Sequence, residues 1–89
     1  MNMRNATIGS SVGLHARPAS LFVQAAKATG LPVTIAREGG DPVDARSILN
    51  VMGLGARKGD VVTLTADGAG SDQVLDSLAT LLERDLDND

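Results

Sequence analysis

The chain has 89 residues, 43% of them hydrophobic, with no cysteine and a single aromatic residue, Phe22. That length and composition lead us to expect one domain over residues 1–89 with an aliphatic core, and they exclude a disulfide framework or a thiolate metal site. The net charge of −3 is unevenly spread: residues 71–89 hold six acids against Arg84, giving −5, whereas residues 1–70 hold five acids and seven bases, giving +2. No dense basic stripe with stacking aromatics exists, which argues against nucleic acid as the main partner. There is no apolar run of membrane-spanning length and no signal-peptide pattern, so a cytoplasmic protein without direct membrane insertion is expected.

Residues 3–8 (MRNATI) read as a first strand, with Arg4, Ala6 and Ile8 alternating against Met3, Asn5 and Thr7. The Gly and Ser content of residues 9–14 (GSSVGL) marks a loop. Residues 16–28 read as a helix that begins at His15 or Ala16, because Leu21, Phe22, Ala25 and Ala26 recur at helical spacing and Gly30 supplies a C-terminal stop. Pro18 falls in the first turn, where a missing N–H does no harm. Residues 32–37 look like a strand, GGDP is a tight turn, and residues 42–44 form a short return strand that Pro42 confines to a sheet edge. Residues 47–53 suit a short helix, with Ser47 as N-cap and Gly53 or Gly55 as its stop. After the turn ARKGD, residues 60–66 alternate clearly, Val62, Leu64 and Ala66 opposing Val61, Thr63 and Thr65. The loop DGAGSD leads to an amphipathic helix over residues 72–86, with Val74, Leu75, Leu78, Leu81, Leu82 and Leu86 on one face and Ser71 as the cap. The resulting order, βαββαβα, favours an α+β sandwich with helices on one face of a mostly antiparallel sheet.

The only histidine stands at the start of the first helix. A helix N-terminus presents free N–H donors and partial positive charge, which makes it an anion site that phosphate commonly occupies. Arg17, in the same first turn, can offer a planar fork of donors to phosphoryl oxygens. A neutral imidazole is nucleophilic near neutral pH. A nucleophile, an anion cradle and a cation therefore converge at His15. A lone histidine at a helix start is usually a plain polar cap or a surface residue, and composition alone leaves that reading ahead. With one histidine and scattered carboxylates, no metal site is expected; no cofactor loop and no hydrolase motif is present.

Gly13-Leu14-His15-Ala16-Arg17-Pro18-Ala19 resembles the active-site signature of the HPr family, the histidine-containing phosphocarriers of the phosphoenolpyruvate-dependent sugar phosphotransferase system. The segment Arg46-Ser47-Ile48-Leu49-Asn50-Val51-Met52-Gly53-Leu54-Gly55 resembles the family's regulatory-serine signature, with arginine at 46 where many relatives have lysine. Length and element order agree, so the resemblance spans essentially the whole chain. It implies an open-faced β-sandwich, with four antiparallel strands in the order 1-4-2-3 and three helices on one face. It also implies a carrier rather than an enzyme: His15 takes a phosphoryl group on Nδ1 from enzyme I, Arg17 contacts that group, and an EIIA component of a sugar permease receives it. Ser47 matches the serine that a dedicated HPr kinase/phosphorylase modifies in some bacteria.

The second helix holds more apolar residues than one buried side can absorb, so some of Ile48, Leu49, Val51, Met52 and Leu54 are expected to face solvent near His15 as a docking patch. The family binds enzyme I and EIIA through this helix and the start of the first. The resemblance therefore marks Ala16, Ser20, Ile48, Leu49, Val51 and Met52 as partner-binding, with Lys27 as a peripheral charge contact. A monomer is expected. The alternatives are a specialised carrier of a nitrogen-related or dihydroxyacetone-kinase branch, a regulatory binding module that transfers nothing, and a small-ligand domain in which His15 is only a cap.

Overall fold

The computed structural model describes residues 2–84. Strand β1 is Asn2–Thr7, helix α1 Ala16–Ala28, β2 Val33–Arg37, β3 Val43–Asp44, α2 Ile48–Gly53, β4 Val61–Ala66 and α3 Ser71–Glu83. The four strands form one sheet in the order β1-β4-β2-β3, every neighbouring pair antiparallel. This is the α+β open-faced sandwich expected from the sequence, with its three helices on one face.

Register explains which residues face the helices. Ala6 lies opposite Val62 and Arg4 opposite Leu64 on one side of β4, and Ile35 lies opposite Leu64 on the other. All of these share a face, because side chains alternate along a strand. Ala6, Ile35, Val62, Leu64 and Ala66 are buried and meet Phe22, Val23 and Ala26 of α1, Val51 of α2, and Leu75, Leu78, Ala79 and Leu82 of α3. Phe22 is completely buried, and it is the only large ring available to fill this aliphatic core. The opposite face is open and polar: Thr63 donates to Asn5 at 2.9 Å, and the Thr34 and Thr65 hydroxyls are hydrogen-bonded to each other. An antiparallel sheet can leave such a face in water.

The structure shifts several expected boundaries. Ile8, read as the end of the first strand, lies beyond β1 but stays buried, its N–H donating to the Asp60 carbonyl at 2.9 Å. Ser71 does not cap α3. Gly70 holds that position in the left-handed region, at φ 81°, and Ser71 is the first helical residue, buried with its Oγ accepting from Asn2 Nδ2 at 2.6 Å. The tie to β1 accounts for the change, since it takes up a hydroxyl that would otherwise be free to cap. Leu86, expected on the apolar face of this helix, lies outside the described residues. Pro42 does precede an edge strand, as its missing donor requires. Among the described residues no helix is long and apolar enough to cross a membrane.

Candidate functional site

The loop from β1 to α1 is pinned at both ends. Gly9 donates to the Leu82 carbonyl at 3.0 Å, and a β-carbon there would overlap the Glu83 carbonyl oxygen. Gly13 closes a tight turn by donating to the Ser10 carbonyl at 3.0 Å. Its φ is +72°, and a β-carbon there would overlap the Ala56 carbonyl oxygen and stand 2.9 Å from Arg57 Cα. Only glycine meets both demands without strain. Leu14 then buries its side chain and donates to the Ala56 carbonyl at 2.9 Å. His15 is thus delivered by a fixed, buried neighbour rather than by a free loop.

His15 occupies the N-cap position of α1 with extended backbone (φ −132°, ψ 150°), but its side chain makes no capping hydrogen bond. The ring therefore does not serve as a side-chain cap, and it is exposed and uncommitted. Ala16 follows at φ +46°, the one non-glycine residue in the left-handed region among those described. Such a conformation costs about 1–2 kcal/mol for an L-residue and persists only where the surroundings impose it. The imposing contacts are visible on both sides: Leu14 is locked to Ala56, and Pro18 and Ala19 are buried in the first turn of the helix. Pro18 contributes no N–H, so the first-turn donors left without an intrahelical acceptor belong to its neighbours. Arg17 is exposed, and among the described residues its guanidinium has no partner. The site thus presents an unpaired imidazole and an unpaired guanidinium at the positive end of a 13-residue helix.

The second signature lies on α2. Ser47 is the N-cap, its Oγ accepting from the Asn50 N–H at 3.4 Å. Beside it Arg46 grips Asp44 through its side chain at 3.1 Å and its backbone N–H at 2.9 Å. Those two bonds, the side-chain one first, hold the Asp44 carboxyl below its ordinary range against a slight opposing effect of burial. Of the expected docking residues, Ile48 and Leu49 are exposed, Leu49 at 80%, and Met52 is half-buried against the core. Val51 requires a correction: its side chain is completely buried, so it packs α2 onto the sheet and cannot meet a partner. A six-residue helix has too few turns to expose both Val51 and its neighbours on the opposite side. Ala16 is exposed and Ser20 half-buried, its Oγ accepting from Gln24 at 3.2 Å. Lys27 is exposed but lies about 16 Å along the helix from Ala16, at the rim.

Sequence reasoning passed over Val12, an apolar side chain that is 55% exposed in the turn just before Gly13. The signal was an isolated valine among Gly and Ser. It also treated ARKGD only as a turn, although Ala56 and Arg57 back directly onto the histidine loop. Among the described residues no three His, Cys, Asp or Glu side chains could together hold a metal ion. A hollow of about 470 Å3 is lined by Arg37, Glu38, Gly39, Asp60 and Val61, and His15 stands outside it. Reactive groups on an open surface suit a macromolecular partner better than an enclosed small molecule.

Residues 3–84 match the family model for the HPr component phosphorylation site of the phosphotransferase system. The chain belongs to the HPr family. It is 49% identical over 87 residues to a phosphocarrier protein HPr of Streptomyces coelicolor, a match covering 98% of this chain and 94% of that one. It superposes on the crystal structure of an HPr from Bacillus anthracis with a TM-score of 0.85, at 32% identity, covering 91% of this chain and 95% of the other. It also resembles a crystallised HPr dimer from Thermoanaerobacter tengcongensis, with a TM-score of 0.69, 36% identity and coverage of 93% and 94%. HPr proteins are phosphocarriers of the phosphotransferase system, and the order β1-β4-β2-β3 under three helices is shared with the HPr structures.

Proposed function

We propose that this HPr accepts a phosphoryl group on His15 from phospho-enzyme I, charged by phosphoenolpyruvate, and passes it to the EIIA component of sugar permeases. The observation that carries this reading is an exposed His15 whose side chain is engaged in no capping bond at a helix start it shares with an unpaired Arg17. The ring nitrogen attacks phosphorus, and the new P–N bond forms as the bond to the donor breaks. The Arg17 fork and the first-turn N–H groups meet the added charge. Exposed dipole and charge contacts are worth only about 0.3–1 kcal/mol each, which lets the group leave again when an acceptor attacks. The carrier works in the cytoplasm, needs no cofactor, and meets its partners through Ala16, Ser20, Ile48, Leu49 and Met52, with Lys27 at the rim.

Incubation with phosphoenolpyruvate and enzyme I, followed by intact mass, is expected to show one acid-labile phosphoryl group, absent in His15→Ala. An unmodified wild-type chain beside a working control carrier would overturn the reading. Ser47 is the regulatory site in this scheme: a phosphate there would sit at a helix start while adding charge to the docking surface. An acid-stable phosphate mapping to Ser47 in cells supports it, and absence across carbon sources refutes it. We take the working form to be a monomer, because β3 has only two residues and β1 points a charge inward through Arg4, both devices that blunt sheet edges.

A further inference from the structure

The segment from Leu54 to Asp60 joins three parts of the molecule. Its first residue ends α2, and the Leu54 carbonyl accepts from Arg37 Nη1 at 3.2 Å. Its middle backs onto the histidine loop, where the Ala56 carbonyl accepts from the Leu14 N–H at 2.9 Å. Its last two residues are tied to the chain just past β1: Gly59 donates to the Ile8 carbonyl at 2.8 Å, and Ile8 donates to the Asp60 carbonyl at 2.9 Å. The backbone thus anchors Asp60 without help from its half-buried side chain.

The carboxylate itself is aimed at one peptide unit. Asp60 Oδ2 accepts from the Arg57 N–H at 2.9 Å, while Arg37 Nη2 donates to the same oxygen at 3.4 Å. The Arg57 N–H and the Ala56 carbonyl belong to a single trans peptide, so they lie in one plane and point in opposite directions. Asp60 grips one end of this plane, and the other end receives Leu14, the residue before His15. Hydrogen bonds in such a row polarise one another, and a bond to an ionised acceptor is the stronger kind. The same unit abuts Gly13, so a rotation of it is felt along the loop. This orientation matters because no capping bond fixes the His15 side chain. Its placement comes through the backbone, from Leu14 on one side and from Ala16, held at φ +46°, on the other.

We propose that Asp60 is a positioning residue for His15, acting through the Ala56–Arg57 peptide. The proposal rests on the carrier reading of His15 and deepens it by naming what holds the loop in its reactive form. Displacing a nucleophile costs rate rather than affinity, because reaction requires near-attack geometry. The test compares the wild type with Asp60→Ala, which removes the acceptor, and Asp60→Asn, which keeps an oxygen for the Arg57 N–H. Asp76→Asn, which breaks the ion pair of α3 with Arg4, is the control. Two quantities are measured: phosphotransfer from phospho-enzyme I, and hydrogen exchange of the Leu14 amide by NMR. Asp60→Ala should lower kcat about tenfold at unchanged KM and speed Leu14 exchange about tenfold. Asp60→Asn should restore both to within about threefold of the wild type, and Asp76→Asn should move neither. Asp60→Leu, which lacks an acceptor but keeps the bulk, carries the test with the same expected losses if Asp60→Ala impairs folding. Wild-type kcat together with wild-type Leu14 exchange in the variant without an acceptor overturns the proposal. So does a raised KM at unchanged kcat, which would make Asp60 part of the docking surface. An Asn variant as impaired as Ala in both readouts also overturns it, since charge rather than the peptide grip would then be the active feature. Each of these results leaves the carrier reading standing, whereas a wild type that accepts no phosphoryl group overturns both.

Discussion

Gly13 and Ala16 bracket the histidine and face opposite backbone problems. Gly13 needs both positive φ and an absent side chain, because Ala56 and Arg57 lie against it. Gly13→Ala is expected to lower stability by about 2 kcal/mol or more in chemical denaturation, since the left-handed cost adds to a clash with backbone that is itself hydrogen-bonded. The same variant should slow phosphotransfer, because Leu14 and hence His15 are placed by that contact. Ala16 pays the left-handed cost without needing a side chain. Glycine relieves about 1–2 kcal/mol of it, against about 1 kcal/mol lost to glycine's helix penalty. Ala16→Gly should therefore leave the melting temperature equal or higher, whereas Gln24→Gly, at an exposed interior position of the same helix, should lower stability by about 1 kcal/mol.

At the scale of elements, α2 is short and depends on its surroundings. Ser47 caps one end, Arg37 donates to the Leu54 carbonyl at the other, and Val51 anchors the middle in the core. The Asp44–Arg46 grip fixes the approach to Ser47 and carries a pH signature. The folded Asp44 carboxyl titrates below its unfolded value of about 3.9, so its contribution is present above that pH and is lost as pH falls through the folded value. Asp44→Asn is expected to lower the neutral plateau slightly and to converge on the wild type in acid, so that its acid limb below about pH 4 is flatter. The difference should shrink in high salt, because the pair is solvent-exposed. An acid limb identical to that of the wild type at low salt would show that the grip adds nothing.

For the molecule as a whole, the longer of the two edge strands is β1, six residues long and paired on one side only. Arg4 points from that strand toward the helix layer, where it pairs with Asp76 of α3. An inward charge on an edge strand discourages a second strand from adding alongside. Arg4→Val should therefore promote concentration-dependent self-association beyond that of the wild type, read by analytical ultracentrifugation. A variant that stays monomeric at every concentration would assign the edge protection elsewhere.

Much of this protein was determined by the sequence itself. Strong alternation in residues 61–66, the apolar stripe of α3 and the glycine punctuation are local patterns, so element order followed without the fold. His15 and Arg17 were legible for the same reason, because a helix start, its charge and its proline occupy consecutive residues. The tertiary structure decided what local pattern cannot carry. It buried Val51 while exposing Leu49 two residues away, because only packing chooses which side of a short helix meets the core. It moved the α3 cap from Ser71 to Gly70, because Asn2, 69 residues distant, holds the serine hydroxyl. It also left the His15 side chain free of any capping bond, and it set Arg57 against Gly13, a contact between segments some forty residues apart that no nearby residue encodes.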